Sequence, residues 1–433
     1  MTTATETPAA LPAKALRLVE AAEARLRRAV WPRMEAIAQT CFQRVIEAFQ
    51  AEKIGEEHFY SVTGYGHDDL GRAATDRVFA RALQAESALV RTQIVSGTHA
   101  IAVGLRGCLE PGDTLLCITG APYDTLEEVL GIRGDQPGSL KRQGIHYQEV
   151  SAFEGEGEEA VLPESLPQAV CLAIPAAKVV YIQRSRGYSL RPTLSIANLR
   201  RMIEQIRLLN PKAIVFVDNC YGEFTDTDEP TGVGADLMAG SLIKNPGGGL
   251  APTGGYIAGR TDLVTACANA LTCPGVGAKG GYTFDLSRTL LQGLFMAPGA
   301  VLEAMKGMTL AASVFEAAGY ATTPCATDVR GDIIQAIRLG SAEKVVRFCQ
   351  LVQRFSPVNA YVSPEPAVVP GYSDAVVMAG GTFIDGATLE FSADGPLRAP
   401  YTVFLQGGLT YLQPRLAMIH LLDALGEHDP RTP

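Results

Sequence analysis

The stretch "MAGSLIKNPGGGLAPTGGYIAG", residues 238–259, carries one lysine and no other charge. Lys244 lies three residues after Ser241, among glycine, small and apolar neighbours. A solvated lysine needs no such setting. Upstream, "AIVFVDNCYGEF" closes an apolar run with Asp218, and Tyr221 follows three residues later. A lysine that forms an imine with pyridoxal phosphate needs an acid across the pyridine ring. The carboxylate keeps the ring nitrogen protonated, and the protonated ring draws electrons from a substrate carbanion. Lys244 and Asp218 have the types and order for that chemistry. The amine must be partly neutral to attack a carbonyl, and a free lysine titrates at about 10.4. The apolar, glycine-rich surroundings predict burial that lowers this value. Alone, Asp218 reads as a turn or cap, and Lys244 as a loop lysine reaching for water. Together they read as a coenzyme site.

The coenzyme's phosphate needs a cup. Ser96, Gly97 and Thr98 immediately precede a helical pattern from about His99 to Leu109. Glycine lets the backbone come close, the hydroxyls donate, and a helix N-terminus presents free N–H groups to an anion. S-G-T also serves as an ordinary helix cap. Ser241 offers another hydroxyl from the lysine's own turn. In "TGAPYDTLEEVLG", Tyr123 is placed to stack on the pyridine face, and Asp124 with Glu127 has capping-box spacing.

Strands and helices must position these groups. "DTLLCIT" (113–119), "KVVYIQRS" (178–185) and "AIVFVDN" (213–219) are short apolar runs bounded by turn residues. Between the last two, Ile196, Leu199, Met202, Ile203, Ile206 and Leu209 fall on one helical face, with Ser195 as N-cap. Strand, amphipathic helix, strand is the βαβ unit of a parallel sheet, which holds ligands outside the carboxyl ends of its strands. Residues 14–50 read as helix interrupted at Pro32, and residues 73–92 as helical. The first dozen residues, rich in Thr, Ala and Pro, read as frayed. After about residue 311, "DAVVMAGGTF", "ATLEFSAD" and "YTVFLQGGLTY" read as short antiparallel strands. The expected organisation is an α/β chain: an N-terminal helical segment (1–60), a coenzyme-binding large domain with a mostly parallel sheet (61–310), and a smaller C-terminal α+β domain (311–433).

Composition removes several function classes. The formal net charge is −9, with no basic footprint for nucleic acid and no basic run for a membrane surface. The nine cysteines are scattered with no C-x-x-C pair, so neither a zinc site nor a disulfide framework is expected. The N-terminus lacks the pattern of a secretory signal, and no run of about 18 apolar residues predicts a membrane span. A cytoplasmic protein is the expectation.

Seven ordered blocks carry a resemblance: "GYGHDDLGR", "SGTHAI", "GAPYDTLEEVLG", "IQRSRGYSLRPTLSI", "VFVDNCYGEF", "GSLIKNPGGGLAPTGGYIAG" and "PYTVFLQGGLTY". Over about residues 60–420 the chain resembles the aluminium-resistance or methionine gamma-lyase-like family. That family is a cysteine/methionine-metabolism branch of the fold-type I pyridoxal-phosphate enzymes. The resemblance implies the aspartate-aminotransferase fold and a homodimer or homotetramer with shared active sites. It implies Lys244 as the coenzyme-binding lysine, Asp218 as the ring-nitrogen partner, and Tyr221 as a contact of the ring oxygen. Ser96, Gly97, Thr98 and Ser241 would hold the phosphate, with Tyr123 stacked on the ring. Related lyases reach the phosphate with a tyrosine and an arginine of the neighbouring subunit; Tyr65 and Arg72 are the candidates here, although their spacing differs. The substrate carboxylate calls for an arginine fork: Arg398 first, then Arg184 and Arg186. Where the family has a glutamate-containing glycine loop, this chain has "CPGVGAKGGY" with Lys279.

The implied reaction is β- or γ-elimination from a sulfur amino acid, with Lys244 as the general base at Cα. The residues alone carry the argument only as far as the carbanion, so an aminotransferase or an aldolase on the same scaffold stays open. The S-x-x-K of a serine acyl-enzyme lacks its S-D-N and K-T-G companions. A non-catalytic coenzyme-binding protein is separated from these only by kinetics.

Overall fold

Two consecutive apolar faces organise the chain. In β4 (Val179–Gln183) and β5 (Ile214–Asp218) every residue is buried. Val180, Ile182, Val215 and Val217 join one core, while Val179, Tyr181, Ile214 and Phe216 join a second on the opposite face. Strands covered on both sides lose polar alternation, which is why they read as continuous apolar runs. The structure is a computed structural model describing residues 11–134, 136–368 and 374–426. Residues 1–10, expected to fray, lie outside the described residues.

The large sheet has seven strands. The others are β1 (Ser87–Arg91), β2 (Thr114–Cys117), β3 (His146–Glu149), β6 (Leu237–Ser241) and β7 (Gly255–Gly259). Their order is β1-β7-β6-β5-β4-β2-β3, and only β7 runs against its neighbours. Helices α4 (Gly97–Cys108), α5 (Asp124–Leu130) and α8 (Thr261–Leu271) contribute to one core, and α3 (Leu70–Ala82), α7 (Ile196–Leu209) and α9 (Ser287–Ala317) to the other. This is the fold of the fold-type I pyridoxal-phosphate enzymes: a mixed α/β chain with a large, mainly parallel sheet.

The expected βαβ unit is present as β4–α7–β5. Ser195 caps α7, its hydroxyl accepting from the Asn198 amide (3.2 Å). Ser195→Ala is expected to cost about 1 kcal/mol, read as a lower urea midpoint with the coenzyme site intact.

One reading is corrected: the helical pattern at 73–92 ends at Ala82, and Ser87–Arg91 is edge strand β1. The N-terminal pattern breaks at "VWPR" as expected, into α1 (Ala13–Ala29) and α2 (Trp31–Ala51), with Pro32 in the first turn of the second, where its missing N–H breaks no hydrogen bond. The smaller sheet comprises β8 (Thr322–Thr323), β9 (Ile334–Arg338), β10 (Ala367–Val368), β11 (Ala375–Ala379), β12 (Ser392–Pro396) and β13 (Thr402–Gln406), all paired antiparallel. Helices α10 (Ala342–Arg354) and α11 (Leu412–Ala424) accompany it, and α9 spans residue 311.

Candidate active site

Asp218 is the last residue of β5, and the chain then turns sharply. Tyr221 and Phe224 hold φ of 71° and 61°, a left-handed conformation that bulky residues adopt only when their surroundings enforce it. The turn is pinned from the lysine loop: the Asn245 side-chain amide donates to the carbonyls of Tyr221 (3.0 Å) and Glu223 (2.9 Å). Lys244 thereby comes over the face of Tyr221, its Nζ 3.8 Å from the ring centroid. The glycines after it serve approach rather than flexibility. A Cβ on Gly248 would meet the Gly293 carbonyl of α9, one on Gly293 would meet the Gly247 carbonyl, and one on Gly247 would meet the Leu242 carbonyl.

Asp218 is 3 % exposed and accepts from the Tyr181 hydroxyl (3.2 Å) and the Cys220 amide (3.1 Å). Burial raises its carboxyl above the usual range, while Lys244, the Cys220 amide and Tyr181 pull it back. For Lys244, burial acts downward, as the sequence predicts, but Cys220, Tyr221, Asp218 and Tyr123 facing it act upward, and the upward effects prevail. In the coenzyme-free pocket the expected lowering by burial is thus outweighed by the polar groups around the amine, Cys220 and Tyr221 foremost and Asp218 next. Of those four groups only Asp218 is a carboxyl, and a second cation placed against it would weaken its hold on Lys244.

Ser96 caps α4, accepting from the His99 amide (3.1 Å). The Thr98 hydroxyl accepts from the Tyr123 hydroxyl (2.9 Å) and pairs with Thr125 (3.0 Å). Gln183, at the end of β4, accepts from the Tyr123 amide (3.0 Å) and so fixes the ring beside the strand ends. A Cβ on Gly97 would stand 3.1 Å from Cys220 Sγ and 3.4 Å from the Cβ of Ser241. The helix N-terminus, Ser241 and the Asp218 turn thus meet at one place.

These residues fit pyridoxal phosphate. Hydroxyls and free helical amides suit its phosphate, and a buried carboxyl with an amine beside it suits its ring and aldehyde. Gly97→Ala is expected to weaken coenzyme binding about tenfold, because Cys220 or the phosphate must give way. Absorbance titration of the coenzyme-free protein checks this.

The other candidates are placed as follows. Arg184 gives its donors to the Leu194 carbonyl (3.3 Å), Asn219 (2.7 Å), the Gly222 carbonyl (2.8 Å) and Thr225 (3.1 Å), so it holds the loop together rather than facing a substrate. Arg186 is 2 % exposed and donates to the Thr323 carbonyl (3.0 Å); its Nε has no partner among the described residues. Arg398 is exposed, pairs with Asp374 (3.1 Å) and reaches the Tyr188 carbonyl (3.5 Å). Arg72 is buried and donates to the carbonyls of Gly281 (2.7 Å) and Lys279 (2.8 Å). Tyr65 is 83 % exposed and stacks on His67, 5.6 Å between centroids. The Lys279 side chain is exposed.

Several groups escape a sequence reading. Tyr181 and Gln183 share one side of β4, two residues apart at a carboxyl end, which is a usable signal for a site. Glu223 offers none: it is fully buried, accepts from Tyr256 (2.7 Å), and burial pushes it up to about 8. Asp394 arrives from the smaller sheet and counts Lys244 among the charges acting on it.

The class that fold and site define, fold-type I, is shared with cystathionine gamma synthase from Xanthomonas oryzae. At 16 % identity and a TM-score of 0.58, covering 90 % of this chain and 98 % of that one, the likeness is of fold alone. The chain itself belongs to the methionine gamma-lyase family, matching it over residues 15–426. Two solved structures are similar throughout. One, from Clostridium acetobutylicum, is described as a candidate cystathionine beta-lyase involved in aluminium resistance, with 42 % identity, TM-score 0.90, and 96 % of each chain covered. The other, a carbon-sulfur lyase involved in aluminium resistance from Clostridium novyi, has 40 % identity, TM-score 0.89, and again 96 % of each chain covered. No helix among the described residues is long and apolar enough to cross a membrane.

Proposed function

We propose that the chain is a pyridoxal-phosphate-dependent carbon–sulfur lyase that acts on a sulfur amino acid by β- or γ-elimination. The observation that carries this reading is the meeting of Lys244, Asp218 and the α4 N-terminus at the carboxyl ends of β5 and β6. Bound there, the coenzyme supplies an electron sink for a Cα carbanion. Asp218 holds a proton on the ring nitrogen. Ser96, Gly97, Thr98 and Ser241 hold the phosphate, and Tyr123 covers the ring face. Lys244 Nζ takes the proton from the substrate's Cα. Arg398, with its guanidinium exposed beside the Tyr188 carbonyl, is the proposed fork for the substrate carboxylate, with Arg186 as second choice.

The same reading extends to assembly. Tyr65 projects from the protomer, its carbonyl accepting from the Gly281 amide (3.1 Å), while Arg72 ties the same loop through Lys279 and Gly281. A side chain held out in this way suits a neighbouring subunit's phosphate, so a homodimer or homotetramer with shared sites is proposed. The division at residues 61–310 and 311–433, work in the cytoplasm, and the association with aluminium resistance belong to this proposal too.

The test is product analysis with S-alkyl cysteine or methionine as substrate. A lyase releases ammonia and a 2-oxo acid with no acceptor added. Strict dependence on a 2-oxo acid acceptor identifies an aminotransferase instead.

A further inference from the structure

Two buried oxygens at the lysine loop have no donor among the described residues. One is Oε2 of Glu223, and the other is Oδ1 of Asn245, the residue after Lys244. The two residues already touch, since the Asn245 side-chain amide donates to the Glu223 carbonyl (2.9 Å). The same amide donates to the Tyr221 carbonyl (3.0 Å), so exchanging its nitrogen and oxygen would lose both bonds. Both residues are fully buried. The Glu223 carboxyl lies against β6 and β7. A Cβ on Gly240, the residue before Ser241, would stand 2.6 Å from its Oε1, and that oxygen accepts from the Tyr256 hydroxyl (2.7 Å).

Glu229, further along the same turn and equally buried, shows what a carboxylate needs there. Its Oε1 accepts from the Phe224 amide (2.8 Å), its Oε2 accepts from Asn219 (3.0 Å), and the Arg44 guanidinium stands 3.9 Å away. Glu223 has a neutral hydroxyl at Oε1, nothing at Oε2, and no ion pair among the described residues. The titratable groups around it are Tyr256 on β7, Cys220 and Glu229 on its own turn, and Lys244 on the lysine loop. Burial and Glu229 oppose its ionisation, while Tyr256, its own amide and Lys244 favour it. Burial prevails and pushes the group up to about 8 from an ordinary 4.5. A buried carboxyl without a cation takes up a proton rather than bear the cost of its charge. It then has one O–H to give, and Asn245 Oδ1 is an acceptor with no donor.

We propose that Glu223 is a positioning residue that works as a neutral acid: its carboxyl proton is the donor for the Asn245 side-chain oxygen, and the pair locks the lysine loop onto the Asp218 turn. One proton satisfies both orphaned oxygens. Lys244 is thereby held over the Tyr221 ring from the far side of its own loop. The proposal deepens the coenzyme-site reading and does not depend on which bond the reaction cleaves.

The first test is the protonation state. Infrared difference spectra of the wild-type holoenzyme are expected to show a protonated-carboxyl band that fades near pH 8, is missing in Glu223→Gln, and shifts in Asn245→Ala. Unfolding in urea gives a second readout. With a folded value of about 8 against about 4.5 unfolded, the folded chain keeps a proton that the unfolded chain has lost, so wild-type stability falls as pH rises through that window. Glu223→Gln carries no such proton. The wild-type unfolding constant divided by that of the variant is expected to climb up to about tenfold per pH unit from about pH 5 to about pH 8, and then level off. The third test is position. Glu223→Ala, which offers no donor, is expected to lower kcat about tenfold with little change in KM, and Glu223→Gln, which offers an amide N–H, to recover most of that loss. The wild type is expected to lose kcat above about pH 8, and Glu223→Gln to lack that limb. If no substrate is turned over, the lyase reading fails, while the infrared and unfolding results still decide the state of Glu223. Absence of the wild-type band, or an unfolding ratio that does not move with pH, shows an ionised Glu223 and overturns the proposal. A band that Asn245→Ala leaves unmoved, or the same alkaline limb in wild type and Glu223→Gln, overturns it too.

Discussion

Lys244→Ala is expected to lower turnover by about 10⁴-fold or more and to abolish covalent retention of the coenzyme. Two roles disappear with one side chain: the amine that joins the coenzyme's aldehyde, and the base placed at the substrate's Cα. Phosphate binding is expected to persist, because Ser96, Gly97, Thr98 and Ser241 do not depend on the lysine. The variant should therefore still take up coenzyme, more weakly, in a form that borohydride cannot fix. Removal also takes away the positive charge that lowers the titration of Asp218 and Asp394, and both carboxyls should titrate higher. Steady-state kinetics and mass analysis after reduction check the first two points. Near-wild-type turnover in this variant would refute the assignment of the base.

Asp218→Asn is expected to lower kcat about 10²- to 10³-fold with much less effect on KM. An amide fills the same space between the Tyr181 hydroxyl and the Cys220 amide, so the turn should survive. It cannot hold the ring nitrogen protonated, and the loss falls on the carbanion rather than on binding. A second consequence follows for Lys244. Asp218 is among the groups that hold its ammonium up, so the pH at which the free lysine loses its proton should fall in the variant. Absorbance followed across pH in wild type and variant measures that shift, and kinetics measures the first effect.

How far the sequence reaches depends on whether a feature is local. The βαβ unit around α7 is legible because its apolar face and the Ser195 cap lie within one window. Asp218 and Lys244 are legible because each ends or follows a strand in an unusual composition. By contrast β6, "LMAGS", and β7, "GYIAG", sit inside the lysine's own stretch and read as turns. Their small residues are there because helices and neighbouring side chains come close: a Cβ on Gly240 would meet Glu223 and Tyr256, and one on Gly255 would meet Ile94. β1 is hidden by the helical composition that runs into it. The state of Lys244 is beyond local reading too, since Cys220 and Tyr123 reach it from other turns. Asp394 is the clearest case. Of "ATLEFSAD" only the last three residues lie in β12, and nothing nearby says that Lys244, 150 positions earlier, acts on that carboxylate.

The most direct test of the central claim is to reduce the purified wild-type protein with borohydride and map the modified lysine by peptide mass analysis. The account predicts loss of the visible coenzyme band together with a reduced pyridoxyl phosphate adduct on the peptide containing Lys244. An adduct on Lys279 or any other lysine, or a protein that binds no coenzyme when it is supplied, would contradict it.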